Sequence, residues 1–196
     1  MEKVPCSKCG VSILPATASR NDGACMPCAN GIRDSLEKSR QYYRTQRELD
    51  KTDPARIYWL SLIKRVHHTE NGYSGLTTAE KYYFSVTCLS GDVINGGFDQ
   101  YFYNSASDHY QDAVAGLEEI GALASLSLLL QAKQVVFGFD EVPASTSRRR
   151  LTSAQTSDSQ KSRLDKLDRL FWADPDNLGR KLEVFLLRHG LVSHVA

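Results

Sequence analysis

A chain of 196 residues, 41% hydrophobic and 24% charged with a formal net charge of +1, has the composition of an ordinary globular protein with room for one medium domain plus an appendage. The longest apolar stretch, 121–130, contains Ser125 and Ser127 and falls well short of the ~18 residues a membrane span needs. The flat total charge lacks the basic excess of a dedicated nucleic-acid binder. Its distribution is uneven, with nine Lys/Arg against seven Asp/Glu in 1–53, five against ten in 54–147, and ten against six in 148–196.

Residues 1–30 carry Cys6, Cys9, Cys25 and Cys28, two C-x2-C pairs with fifteen residues between them. This spacing is that of a structural zinc site, because each tight turn aims two sulfurs at one ion and two turns close the tetrahedron. Gly10 after Cys9 lets the backbone fold over the first pair. Some thirty residues cannot bury enough apolar surface to fold unaided, so a single Zn2+ is expected as the staple. The N-terminus has no apolar export segment. Five cysteines in such a chain imply a reducing, cytoplasmic setting, where metal binding outranks disulfides. Four thiolates leave no open position for substrate, so the expected role of the metal is structural. The head reads as a zinc ribbon or treble clef.

Residues 31–53 form a charged connector with Arg33, Asp34, Glu37, Lys38, Arg40, Arg44, Arg47 and Glu48, a pattern that predicts a solvated helix. Asp53-Pro54 starts the next segment. From there to residue 196 the periodicity is helical. Trp59, Leu62, Ile63 and Val66 share one face. Thr77 and Glu80 suit a capping box, followed by Tyr82, Val86, Leu89 and Val93. Asn95-Gly96-Gly97 interrupts this helix. Tyr110, Val114, Leu117 and Ile120 mark a further helix, Leu123, Leu126, Leu130 and Val135 or Phe137 the next, Leu164, Leu167 and Phe171 a late one, and Leu178, Leu182, Phe185 and Leu186 the last. The Ser/Thr-rich stretch 144–162, with Arg148, Arg149 and Arg150, reads as a long mobile loop. The expected fold is all-α, a compact bundle of about six or seven helices behind the small zinc head. Cys88 is expected as a buried small hydrophobe.

The most distinctive body segment contains Asn95, Gly96, Gly97, Phe98, Gln100, Tyr101, Phe102 and Asn104. Paired glycines between helices permit an elbow, with Phe98, Tyr101 and Phe102 covering it and Asn95, Gln100 and Asn104 satisfying freed backbone groups. The functional alternative is a small polar pocket beside the aromatics. This string, with Ala113–Gly121 and Leu164–His189, resembles the C-terminal domain family of a bacterial DNA-mimic protein over about two thirds of the chain. The resemblance implies an all-α domain able to form a homodimer. It also implies that an acidic surface imitates duplex DNA and occupies a DNA-binding transcription regulator. The family motif itself reads as scaffold. Asp108, Asp112, Glu118, Glu119, Asp140 and Glu141 are the carboxylates available for an acidic face.

No phosphate loop, His-Glu-x-x-His helix or nucleophile elbow occurs. His67 and His68 are expected at a helix C-terminus, and His109, His189 and His194 at the surface. Asp174-Pro-Asp176 reads as a helix start. The leading expectation is a non-enzymatic protein that binds another protein, either a DNA-binding regulator or, in an immunity role, a toxin. The second is nucleic-acid binding through the zinc head, Arg33, Arg40, Arg44, Arg47 and Arg148 to Arg150. An enzyme built around the 95–104 pocket comes last, and no membrane association is expected.

Overall fold

The computed structural model describes residues 2–193, and the chain divides into two compact units between Thr52 and Asp53. In the first, β1 (Val4–Pro5) and β2 (Ser12–Ile13) pair antiparallel, Val4 opposite Ile13. Then come α1 (Pro15–Arg20), α2 (Met26–Ala29) and the 20-residue α3 (Arg33–Thr52). The buried residues of this unit are Cys6, Ala24 and Cys25, with Ile13 and Cys28 packed against them. Helix α3 buries nothing along its length, as its lack of a wide apolar stripe requires.

The second unit is all-α, as expected. Helix α4 (Pro54–His68) starts at Asp53, whose carboxylate accepts the Ala55 N–H at 2.8 Å, with Pro54 in the first turn. A 3-10 turn, Gly72–Gly75, leads to α5 (Thr78–Tyr103). A second 3-10 segment, Ser105–His109, precedes α6 (Tyr110–Glu119), α7 (Leu123–Phe137), α8 (Thr146–Ala154), α9 (Asp158–Trp172) and α10 (Leu178–Arg188). Helix α5 is the axis of the bundle and packs against α4, α6, α8, α9 and α10. Its Val86, Leu89, Val93, Phe98, Tyr101 and Phe102 are fully buried. Among the described residues no helix is long and apolar enough to cross a membrane.

The Thr77–Glu80 capping box is present and reaches further than one helix turn. Glu80 accepts from the Thr77 N–H at 2.8 Å, from Tyr58 Oη at 2.9 Å and from Arg65. Burial pushes its carboxyl up, but Arg65, the Thr77 amide and Tyr58 outweigh it and bring it to about 2.

Three sequence expectations need correction. The 144–162 stretch is helical over Thr146–Ala154, and α9 has begun by Asp158. Arg149 is what organises it. Fully buried, its guanidinium bonds the Pro143 and Ala144 carbonyls at 2.6 and 3.0 Å and pairs with Asp108. Anchors of this polar kind leave no apolar periodicity to read. His109 is half-buried rather than at the surface, its ring stacked 3.4 Å from that of Tyr73. Asp176 does not start its own helix: it accepts the Ser125 N–H of α7 at 2.6 Å, whereas Asp174 accepts the Leu178 N–H of α10 at 2.8 Å. His194 lies outside the described residues.

Candidate metal centre and kinked helix

The two cysteine pairs are presented by different local structures. Cys6 and Cys9 flank the turn after β1, closed by the Gly10 N–H on the Cys6 carbonyl at 2.9 Å, with Gly10 at φ 73°. Cys25 is the residue before α2 and Cys28 sits in that helix, with Pro27 in its first turn. The Cys25 N–H donates to Cys6 Sγ at 3.1 Å, tying one pair to the other. That bond, the largest influence on the Cys6 thiol, holds it near 6, well below the usual thiol value.

All four Sγ atoms lie within 4.8 Å of one another, and those of Cys9 and Cys25 are 3.7 Å apart. Four sulfurs at about 2.3 Å from one ion stand about 3.8 Å from each other. The cluster therefore has the donor set and the dimensions to hold a metal ion. Arg33, at the start of α3, donates to Cys9 Sγ at 2.6 Å and Cys25 Sγ at 3.3 Å, which sets a positive charge against the sulfur cluster. Its position was legible in the sequence, but its role was not, because a charged side chain after a cysteine pair carries no distinctive spacing. Among the described residues no other group of His, Cys, Asp and Glu offers a comparable cluster.

The 95–104 string forms an elbow inside α5. Gly96 leaves helical geometry (φ −162°, ψ 20°), and Gly97 takes φ 77°, ψ −179°, a region essentially restricted to glycine. A Cβ on Gly97 would come within 2.8 Å of Asp168 Cγ. A break in a helix frees backbone groups on both sides, and here α9 supplies both partners. Asp168 accepts the Phe98 N–H at 2.8 Å, and the Trp172 indole donates to the Val93 carbonyl at 2.7 Å. Asp168 and Trp172 are one turn apart on α9, so a single helix caps the two halves of another. Burial raises the Asp168 carboxyl, with the Phe98 amide pulling against it.

The family-motif polar groups do other work. Asn104 donates to Asp92 Oδ1 at 2.8 Å and Gln100 reaches the same oxygen at 3.5 Å. Asn95 is exposed. Thus Phe98, Tyr101 and Phe102 cover the elbow from inside, as expected, but the asparagines and glutamine are not its backbone partners. A cleft of about 330 Å³ does lie beside them, lined by Trp59, Cys88, Asp92, Asn95 and Asn104. Burial pushes the Cys88 thiol up to about 12, which removes it as a nucleophile at neutral pH.

The six carboxylates considered for an acidic face are not equivalent. Asp108 is paired with Arg149, Asp112 accepts from Tyr73 Oη at 2.7 Å, and Glu119 pairs with Arg188 at 2.8 Å. Glu118, Asp140 and Glu141 are exposed and make no ion pair among the described residues. Gln111, Val114 and Glu118 follow one another along one side of α6, and Glu141 borders the same cavity as Gln111 and Val114. Directly before Asp140 in the chain, Phe139 is 95% exposed, an unusual position for a phenyl ring.

Comparison with curated proteins and with solved structures yields no match. A family model, DMP19-like protein, matches residues 74–189. The match takes in the elbow of α5, both of its caps on α9 and the three unpaired carboxylates, and it covers more than half of the chain. This chain belongs to the DMP19-like protein family.

Proposed function

We propose that the protein is a non-enzymatic interaction protein whose helical body binds a DNA-binding regulator through an acidic, DNA-like surface, and whose head holds one structural Zn2+ on Cys6, Cys9, Cys25 and Cys28. Membership of the DMP19-like family carries the first part of this reading. The unpaired Glu118, and Asp140 and Glu141 following the exposed Phe139 in the chain, are the carboxylates free to build such a surface. A DNA mimic needs carboxylates that are free to stand in for phosphates, and Asp108, Asp112 and Glu119 are already engaged within the chain. The elbow residues Asn95 to Asn104 belong to the scaffold in this reading. A cytoplasmic location fits thiols kept available for metal.

Two measurements test it. Bait protein is incubated with host lysate, captured partners are identified by mass spectrometry, and the column is washed with competing duplex DNA. A DNA-binding partner released by the duplex, and not captured by the Glu118→Gln/Asp140→Asn/Glu141→Gln variant, is the expected result. A partner indifferent to duplex DNA would refute the mimicry. Metal analysis of protein prepared without chelator should give one zinc per chain, and none would refute the zinc assignment.

A further inference from the structure

Helix α3 is 20 residues long and buries none of them, although most helices of globular proteins owe their stability to a packed face. What it carries instead is a line of cations. Arg40, Arg44, Arg47 and Lys51 recur at spacings of four, three and four residues, which places them within a stripe about 60° wide, separated by about 6, 4.5 and 6 Å along the axis. Arg40, Arg44 and Arg47 are exposed and have no ion pair or hydrogen bond from their side chains among the described residues. Lys51 rests on Glu48 at 3.1 Å. Arg33, one turn-pair before Arg40, is turned toward the cysteine sulfurs and Glu37 and is excluded from the stripe. Beside the stripe, about 70° round the helix from its centre, stands the exposed ring of Tyr43, 62% accessible; Tyr42, on the side opposite the arginines, packs edge to face against it with centroids 5.5 Å apart.

We propose that α3 is a nucleic-acid-binding helix, in which Arg40, Arg44 and Arg47 hold successive backbone phosphates and Tyr43, backed by Tyr42, offers its ring to an unpaired base. Charge complementarity selects a polyanion, and the guanidinium fork suits phosphate oxygens. The adjoining Tyr43 ring selects a nucleic acid over an acidic peptide, because a nucleotide brings a flat base next to its charge. The site lies outside the family match at 74–189 and does not depend on what the body binds.

The test is fluorescence anisotropy of the full chain with labelled single-stranded and duplex DNA, in 50 and 200 mM salt. The wild type should bind in low salt and weaken steeply as salt rises. Arg40→Gln/Arg44→Gln/Arg47→Gln should lose at least about tenfold in affinity and flatten the log K against log salt slope by about 2 to 3, one phosphate contact for each arginine. Tyr43→Ala should weaken single-strand binding by about tenfold with a smaller effect on duplex. Because α3 buries nothing, these variants should keep wild-type helicity by circular dichroism. Absence of binding in low salt, or an unchanged slope in the triple arginine variant, would overturn the proposal. So would an equal loss on Arg148→Gln, which would place the phosphates on the body.

Discussion

The two units of this chain solve the same problem by opposite means. The body buries a continuous set of side chains from α5, α6, α7 and α9, with Val86, Leu89, Phe98, Tyr101, Ala113, Leu117 and Leu129 wholly inaccessible. The head buries Cys6, Ala24 and Cys25, too little apolar surface to offset the entropy of ordering its loops. In one unit polar groups are details that position helices. In the other, two cysteines and one alanine are the whole buried interior, with Ile13 and Cys28 packed against them. Stability in the body should therefore be spread over many residues and sensitive to packing, whereas stability in the head should stand or fall with a single centre.

The sharpest way to break this contrast is to remove the metal proposed for the head. Chelation, or Cys9→Ser, should cost the head on the order of 10 kcal/mol and unfold it. Amide exchange protection should vanish in the first unit and persist in α5, α6 and α9. Loss of protection in both units would show that they are not energetically separate. Next in size comes the elbow. Gly97→Ala puts a side chain in a glycine-only conformation and forces Asp168 aside, which should destabilise the body by about 3 kcal/mol with the bound metal unaffected, as read from urea melts and metal content.

A comparable effect belongs to pH. The folded Glu80 carboxyl sits near 2 against an ordinary 4.5, so its contribution is complete above about 4.5 and is lost as pH falls from there toward 2. The shift amounts to roughly 3 kcal/mol. Glu80→Gln should be less stable than wild type by about that amount at pH 7, and the two should converge near pH 2. Equal stability at both pH values would mean that the Arg65 and Tyr58 bonds do no more than offset burial. The smallest change is Trp172→Phe, which keeps the ring surface but leaves the Val93 carbonyl without its donor, and should cost about 1 kcal/mol.

How much of this was legible beforehand varies with the distance between partners. Cys6 with Cys9, and Cys25 with Cys28, announce themselves by spacing, and Thr77 with Glu80 by a three-residue signature. The same signature stands at Ser157 and Gln160, which form a full capping box at the start of α9. There the surrounding Ser, Thr and Arg residues read as loop and mask it. Arg149 was visible only as one of three arginines, with nothing to single it out as the buried one. Helical periodicity located α4 through α7, α9 and α10 because an apolar stripe is a property of a single segment.

The sequence by itself determined the two regimes: an all-helical body from its 3.6-residue period, and a cysteine-built head from two short pairs. Both rest on neighbours within a turn or two, where chain geometry leaves few alternatives. Tertiary structure alone decided which groups complete which. Asp168 and Trp172 cap the elbow of α5 from 70 and 79 residues away, Asp176 caps α7 from 51 residues away, and Asp108 neutralises a buried arginine 41 residues on. A buried N–H, carbonyl or charge must find a partner, but only the packed fold determines which side chain stands close enough to provide it.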